Sequence, residues 1–248
     1  MSSPTARRGP SVTDAVVPRW SVVVVVPAHD EAALLPRCLA SIAVASAAVA
    51  GRALVRIFVV ADACTDATGS VARTHGAGVV EVDHRNVGAA RASGVAAALG
   101  ASAMAPAQHT WLASTDADTV VPPDWLDHQL DLADAGFVAV AGVVRVDSFA
   151  DHPIGTESAF AAHYVTEPGA THTHVHGANI GARADAYLRA GGWEALGLAE
   201  EHDLWRRLRA ANDRCLATAT LWVTTSGRAK GRADGGFADL LAGLVEGS

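Results

Sequence analysis

Five consecutive valines, Val22 to Val26, open the patterned part of the chain and are followed by Pro27. An unbroken β-branched run with no polar alternation predicts a strand buried on both faces of a parallel sheet and ended by the proline. From Glu31 to about Ala50 the pattern becomes helical, and Val55 to Val60 repeats the strand pattern, completing a strand-helix-strand unit. Thr65 to His75 reads as the next helix, Gly78 to Asp83 as a third strand, Val87 to Ala103 as a long helix, and Thr110 to Ser114 as a fourth strand. Pro122-Pro123 then opens a helix over about Asp124 to Ala135, with proline suited to the first helical position, and Val138 to Val146 reads as a strand. This alternation predicts an α/β fold with a doubly wound, mostly parallel sheet and helices on both faces.

Beyond Asp147 the pattern loosens. A helix is expected over Ala150 to Val165, a histidine-rich loop over Thr171 to His176, and an acidic-basic helix over about Glu200 to Ala211. Cys215 to Thr225 reads as a strand, Gly227 to Gly236 as a basic, glycine-rich segment, and the end as a short helix. Met1 to Val17 mixes Ser, Pro, Thr, Arg and Gly without an apolar core of signal-peptide length, so residues 1–18 are expected to be a disordered tail before a single domain over 19–248.

Composition narrows the function classes. With 248 residues, half of them hydrophobic, the chain can bury one large core or two modest ones without disulfides. A net charge of -7 gives no global positive field for nucleic acid or an anionic membrane surface. Cys38, Cys64 and Cys215 are far apart and form no C-x-x-C pair, so the expected compartment is the reducing cytoplasm. The longest apolar stretches, Leu39 to Ala50 and Val87 to Ala105, are broken by Ser, Gly or Arg, so no membrane span is expected.

Ligands of open α/β sheets bind outside the carboxyl ends of the strands. Here those ends read Pro27-Ala28-His29-Asp30-Glu31, Ala61-Asp62-Ala63-Cys64-Thr65-Asp66 and Thr115-Asp116-Ala117-Asp118. Three acidic ends on one rim repel one another unless a cation sits among them, and hard carboxylate oxygens suit Mg²⁺ or Mn²⁺ bridging a pyrophosphate. Taken singly, Glu31, Asp66 and Asp124 also lie where a carboxylate caps a helix start. His172, His174 and His176 alternate, which on a strand would put them on one face, but no fourth ligand stands at zinc-site spacing.

Read together, these segments resemble glycosyltransferase family 2 of the GT-A fold, from Ser21 to about Gly236. Val22 to Glu31 resembles its opening strand with Pro-x-x-Asn-Glu, Val59 to Asp66 its Asp-x-Ser-x-Asp strand, and Asn86 to Gly94 its Asn-x-Gly-x-x-x-Ala region. Departures are Asp30 for the usual Asn, Ala61 for the first of a frequent Asp pair, and Cys64 for Ser. The resemblance implies a nucleotide-binding half over 19–120 and an acceptor-binding half over 121–248. It implies that Pro27, His29, Glu31, Asp62, Asp66, Asn86, Gly88 and Arg91 bind a nucleoside diphosphate sugar. Asp116 would touch the ribose and the metal, Asp118 would be the more direct ligand of Mn²⁺ or Mg²⁺, and Gly177 and Asn179 would hydrogen-bond the donor sugar. Thr225 to Arg232 resembles the basic segment that closes over the pyrophosphate, offering Arg228 and Arg232.

Ala199 to Leu208 resembles the family's Glu-Asp-x-Asp-Leu-x-x-Arg-Leu segment, whose second acidic residue is the general base. That position is Glu201, with Glu200 beside it in the same turn, and a carboxylate suits the task because the attacking acceptor hydroxyl must lose a proton. The same acids also suit the first turn of a helix, where they complement its dipole. The implied reaction is sugar transfer to a hydroxyl acceptor with inversion at the anomeric carbon. A sugar-phosphate nucleotidyltransferase would instead carry a Gly-rich, basic loop after strand one, which Ala28-His29-Asp30 is not. A non-catalytic nucleotide-sugar binding protein is the alternative suggested by Ala61, Cys64 and Glu201, and turnover separates the two.

Overall fold

A computed structural model describes residues 18–101, 105–164, 172–211, 214–232 and 236–246. Apart from Pro18, the tail expected over residues 1–18 lies outside them, as do the expected helix ends at Ala103 and Val165. In chain order the first half contains β1 (Trp20–Ala28), α1 (Leu35–Ala48), β2 (Ala53–Asp62), α2 (Thr68–Thr74), β3 (Gly78–Val82), α3 (Val87–Gly100) and β4 (Thr110–Ser114). The second half contains α4 (Trp125–Asp134), β5 (Ala139–Val146), α5 (Thr156–His163), β6 (Ile180–Arg183), α6 (Ala184–Arg189), α7 (Glu200–Ala210), β7 (Cys215–Thr225) and α8 (Phe237–Glu246). All seven strands form one sheet in the order β3-β2-β1-β4-β6-β5-β7.

The valine run is the middle of the parallel part. β1 pairs with β2 on one side and β4 on the other, both parallel, and its valines are at most 1% exposed. Successive side chains point to opposite faces. Val22, Val24 and Val26 join the core containing Ile42 of α1 and Leu126 of α4, whereas Val23 and Val25 join the core containing Val95 of α3 and Leu204 and Leu208 of α7. Burial of each such side chain contributes about 1.5–3 kcal/mol, so one uninterrupted strand ties both layers of helices to the sheet.

Three expected boundaries are corrected by local hydrogen bonding. Pro27 does not end β1; the strand runs through it to Ala28. The ladder to β4 closes at Val25 and Ser114, with Thr115 N donating to Val25 O. Pro27, two residues on, faces the same side beyond that ladder, where its missing N–H costs no bond. Helix α1 begins at Leu35 rather than Glu31, because Leu34 N and Leu35 N both donate to Glu31 O and fold residues 31–34 into a turn. Pro122 and Pro123 lie in the turn before α4, where Trp125 N donates to Pro122 O, and not at its first helical position.

The loosely patterned half hides two elements that its sequence did not suggest. The short strand β6 runs antiparallel to both β4 and β5, and α6 follows it directly. Next to it, β5 and β7 pair in parallel but lose register between Ala141↔Ala217 and Val143↔Trp222, so β7 makes an excursion over Thr218 to Leu221 opposite Gly142. The Asn179 side chain fills the interruption, its Nδ2 donating to Val143 O at 2.9 Å and Leu221 O at 3.2 Å. Among the described residues, no helix is long and apolar enough to cross a membrane.

Gly142 has no room for a side chain at this interruption, since a Cβ there would lie 2.2 Å from Asn179 Nδ2 and 2.3 Å from the Leu221 carbonyl oxygen. Gly142→Ala is therefore expected to lower stability by about 1–3 kcal/mol through overpacking, read as a lower urea midpoint with an unchanged slope.

Candidate active site

The carboxyl ends of β1, β2 and β4 converge on a cavity of about 720 Å³, closed on the other side by the start of α7, the segment after β7 and the start of α8. Pro27, His29, Glu31, Asp62, Asn86 and Arg91 line it. So do Asp116, Asp118, Gly177, Glu201, Arg228 and Arg232, which brings residues as far apart in the chain as Pro27 and Arg232 into one volume. Among the described residues, four that are not glycine adopt the left-handed backbone region, and each is at this rim: Asp30 after β1 (φ 51°), Ala63 after β2 (φ 52°), Arg85 before α3 (φ 51°) and Ala199 before α7 (φ 59°).

Arg91 is the buried centre of the site. It is 3% exposed on α3, and its Nη2 donates to Asp116 Oδ1 at 2.7 Å while Nη1 donates to Glu200 Oε1 at 2.5 Å. Its guanidinium lies 5.0 Å from the ring centre of Trp193. Gly177 leaves the space that this guanidinium fills, because a Cβ there would come within 2.3 Å of Nη2. Arg91, expected to bind the donor, lines the cavity with both arms on carboxylates, one after β4 and one on α7. Trp193 and Trp205 are buried core residues.

Asp118 sits in a second charged cluster. Arg228 Nη2 lies 2.9 Å from Asp118 Oδ2 and 2.6 Å from Glu31 Oε1, and Arg232 Nη2 donates to Asp30 O at 2.9 Å. Burial, reinforced by the nearby Asp116 carboxylate, pushes the Asp118 carboxyl up to about pKa 6 despite the opposing pull of Arg228. The arm carrying Arg228 is held in place: Gly227 N donates to Asp147 Oδ1 at 2.8 Å, Gly227 O meets His152 Nε2 at 2.7 Å, and Asp147 pairs with Arg37. A carboxylate strained by burial and like charge, with Asp116 two residues away, is a donor set of hard oxygens that fits Mg²⁺ or Mn²⁺. Such ions are commonly held by one or two carboxylates completed by substrate phosphates rather than by an all-protein cage.

Among the described residues a closer three-ligand cluster exists only at Asp30, Cys64 and Asp66. Its carboxylates already serve the turn: Asp30 Oδ1 accepts from Thr65 N and Asp66 N, and Asp66 accepts from Ala32 N, Thr68 N and Thr68 Oγ1. Asp66 accordingly organises the entry to α2 and lies outside the cavity lining. Gly88 and Asn179, also expected to bind the donor, lie outside the lining too. Gly88 packs against the segment before α7, where a Cβ would fall 2.1 Å from Glu194 O. Asn179 is fully buried, its side chain donating to β5 and β7 and accepting from Trp125 Nε1 at 2.9 Å.

Several lining residues are themselves scaffold. Asp62 accepts from His84 N, Arg85 N and Asn86 N, clamping the loop into α3, and His29 Nδ1 meets Asp62 O at 2.7 Å. Asn86 caps α3 by accepting from Ala89 N and reaches across to Leu196 O. At the opposite wall the two adjacent glutamates divide: Glu200 is buried against Arg91, whereas Glu201 faces the cavity and forms no ion pair among the described residues. Burial, with Glu200 next to it, pushes the Glu201 carboxyl up to about pKa 7. The same turn has the acidic-basic pairing expected of a helix start, Asp203 meeting Arg207 at 2.7 Å.

Among the described residues, the three histidines belong to no cluster with metal-ligand spacing. Residues 172–176 are not a strand; His172, His174 and His176 stack in series against Tyr164, with centroid separations of 5.9 and 6.3 Å between successive imidazoles. Arg85, His202 and Phe237 also line the cavity and carried no signal in the sequence, because each is placed there by a tertiary turn rather than by a motif.

A model of the family described as "Glycosyl transferase family 2" matches residues 23–186. No curated protein matches the chain. Among solved structures, the mannosyltransferase PcManGT of Pyrobaculum calidifontis, in complex with GDP-Man and Mn²⁺, superposes with a TM-score of 0.63 at 22% identity, covering 87% of this chain and 59% of that one. TarS residues 1–349 of S. aureus, in complex with UDP, gives 0.59 at 14%, covering 84% and 60%. The M. tuberculosis glucosyl-3-phosphoglycerate synthase gives 0.51 at 19%, covering 91% and 76%. The chain thus has the fold of these enzymes and spans about 60% of the length of the first two.

Removing the buried cation tests the hub. Arg91→Met leaves Glu200 buried without its partner and is expected to cost about 3–5 kcal/mol in urea unfolding at neutral pH, with part of the loss recovered by adding Glu200→Gln.

Proposed function

Since this chain belongs to glycosyl transferase family 2, we propose that it transfers a sugar from a nucleoside diphosphate donor to an acceptor hydroxyl, with a divalent metal and with inversion at the anomeric carbon. The observation that carries this reading is the placement of Asp118 and Glu201, two cavity-facing carboxyls with raised pKa values, on the strand-end wall and the α7 wall of one cavity. Environments that perturb titratable groups in a cleft are characteristic of catalytic sites.

In this reading the nucleoside lies against His29, Asp62 and Asn86, and the diphosphate lies towards Arg228 and Arg232. Asp118, with Asp116, would hold Mn²⁺ or Mg²⁺; GDP-Man and Mn²⁺ are bound together in the Pyrobaculum mannosyltransferase. Such an ion acts as a Lewis acid that neutralises the departing diphosphate. Arg228 shares that electrostatic work, its guanidinium already standing between Glu31 and Asp118. Glu201 accepts the proton of the acceptor hydroxyl as its oxygen bonds to the anomeric carbon, while the bond from that carbon to the diphosphate oxygen breaks with its electron pair leaving on phosphate. One displacement of this kind inverts the centre. Glu200 is the weaker candidate for the base because Arg91 holds it.

Donor binding is tested by thermal stabilisation with UDP-, GDP- and dTDP-sugars in Mn²⁺ or Mg²⁺; no response to any donor overturns the reading. Asp118→Asn is expected to lose the metal-dependent part of the stabilisation. Glu201→Gln should keep donor binding and lose transfer, and transfer at the parent rate would show that another group is the base. Because a base must be deprotonated and the Glu201 carboxyl is raised to about pKa 7, kcat/KM should fall about tenfold per unit as pH drops below that value.

A further inference from the structure

The donor reading leaves unused an apolar and aromatic part of the cavity wall, made of Val144 of β5, Val175, His176, and Phe237, Ala238 and Leu240 of α8. His176 sets its ring edge-on to Phe237, at 6.0 Å and 88°, and is backed by Tyr164 and His174. Leu240 and Leu198, which flank this wall, remain 41% and 59% exposed. Large apolar side chains left open at the lip of a cavity, next to an aromatic wall, mark a surface that gains by being covered.

Charge decides what covers it. Among the described residues the cationic side chains lining the cavity are Arg85, Arg91, Arg228 and Arg232. Arg91 is held by Asp116 and Glu200, Arg228 by Glu31 and Asp118, and Arg232 lies beside Glu31 at 3.7 Å. Arg85 belongs to the loop leading into α3 and pairs with Asp83. The imidazole of His176 is kept neutral, its pKa lowered to about 3 by burial and then by the neighbouring His174, His202 and His172. Among the described residues every arginine lining the cavity thus lies beside a carboxylate, and Glu200 and Glu201 line the same cavity. A phosphate or carboxylate on the acceptor would lose its hydration there without a partner.

We infer that this wall is the acceptor subsite and that it takes an uncharged hydroxyl compound with an apolar portion, of the class of an alkyl or aryl glycoside. The apolar portion rests between Leu198 and Leu240, and the hydroxyl-bearing ring stacks on His176 and Phe237 with its nucleophilic oxygen towards Glu201. The inference rests on the sugar-transfer reading of the cavity.

The experiment uses the full chain with Mn²⁺ and UDP or GDP, and follows binding of octyl glycosides of glucose, galactose and mannose, below their micelle concentrations, against the matching hexose 6-phosphates by saturation-transfer NMR. At least one octyl glycoside should bind and no hexose phosphate should compete with it. Leu240→Ser and Leu198→Ser, both at exposed positions that spare the fold, should each weaken the octyl glycoside by about tenfold while the nucleotide affinity is unchanged. Phe237→Ala should weaken it further. Preferential binding of a hexose phosphate, no binding of any octyl glycoside, or indifference to both leucine variants overturns the inference while nucleotide binding persists. Absence of nucleotide binding, by contrast, overturns the sugar-transfer reading on which it stands.

Discussion

A single guanidinium holds the two sides of the cavity in register. Arg91 comes from a helix packed on the parallel half of the sheet, yet its arms reach Asp116 at the end of β4 and Glu200 at the start of α7. A buried ion triad of this kind adds little net stability compared with an apolar replacement, but losing one member leaves an uncompensated charge in low dielectric. Its value lies in geometry. It ties Glu200 to α3, while the neighbouring Glu201, which lines the same cavity, has no ion pair among the described residues.

The second charged cluster works differently. Arg228 is delivered by a segment far along the chain, and its position depends on Gly227 being held between Asp147 and His152. Glu31, Asp116 and Asp118 would repel one another without it, which is the same constraint that pointed to a cation from the sequence alone. Arg228 meets both Glu31 and Asp118, so the strand-end wall is neutralised in part from within the chain.

The strand-helix alternation of the first half was legible because Val22 to Val26 and Val55 to Val60 report burial directly, and the acidic strand ends follow from their position after those runs. Thr110 to Ser114 and Cys215 to Thr225 were read with their observed bounds. β6 was not legible: four residues including Gly181, antiparallel between two longer strands, carry no period of their own. The cavity lining was legible where a motif fixes both residue and place, as for Asp116, Asp118 and Glu201, which all line it. Other motif residues are engaged by their own scaffold, which no motif reveals. The Asn179 side chain bridges a break in the sheet and accepts from Trp125, Asp66 holds a turn, and Arg91 meets two carboxylates. Phe237 and Leu240 depend on the return of the chain end to the cavity, which no local pattern encodes.

The four left-handed residues at the rim have a consequence for motion. Asp30, Ala63, Arg85 and Ala199 each hold a conformation about 1–2 kcal/mol above the ordinary one, and the buried valine strand beneath them offsets that strain. The cost of local opening is therefore lower at the cavity rim than in the strands beneath it. Backbone amides of the rim loops should exchange with solvent through fluctuations that leave the sheet intact, and a bound ligand would slow those amides without altering exchange in the core.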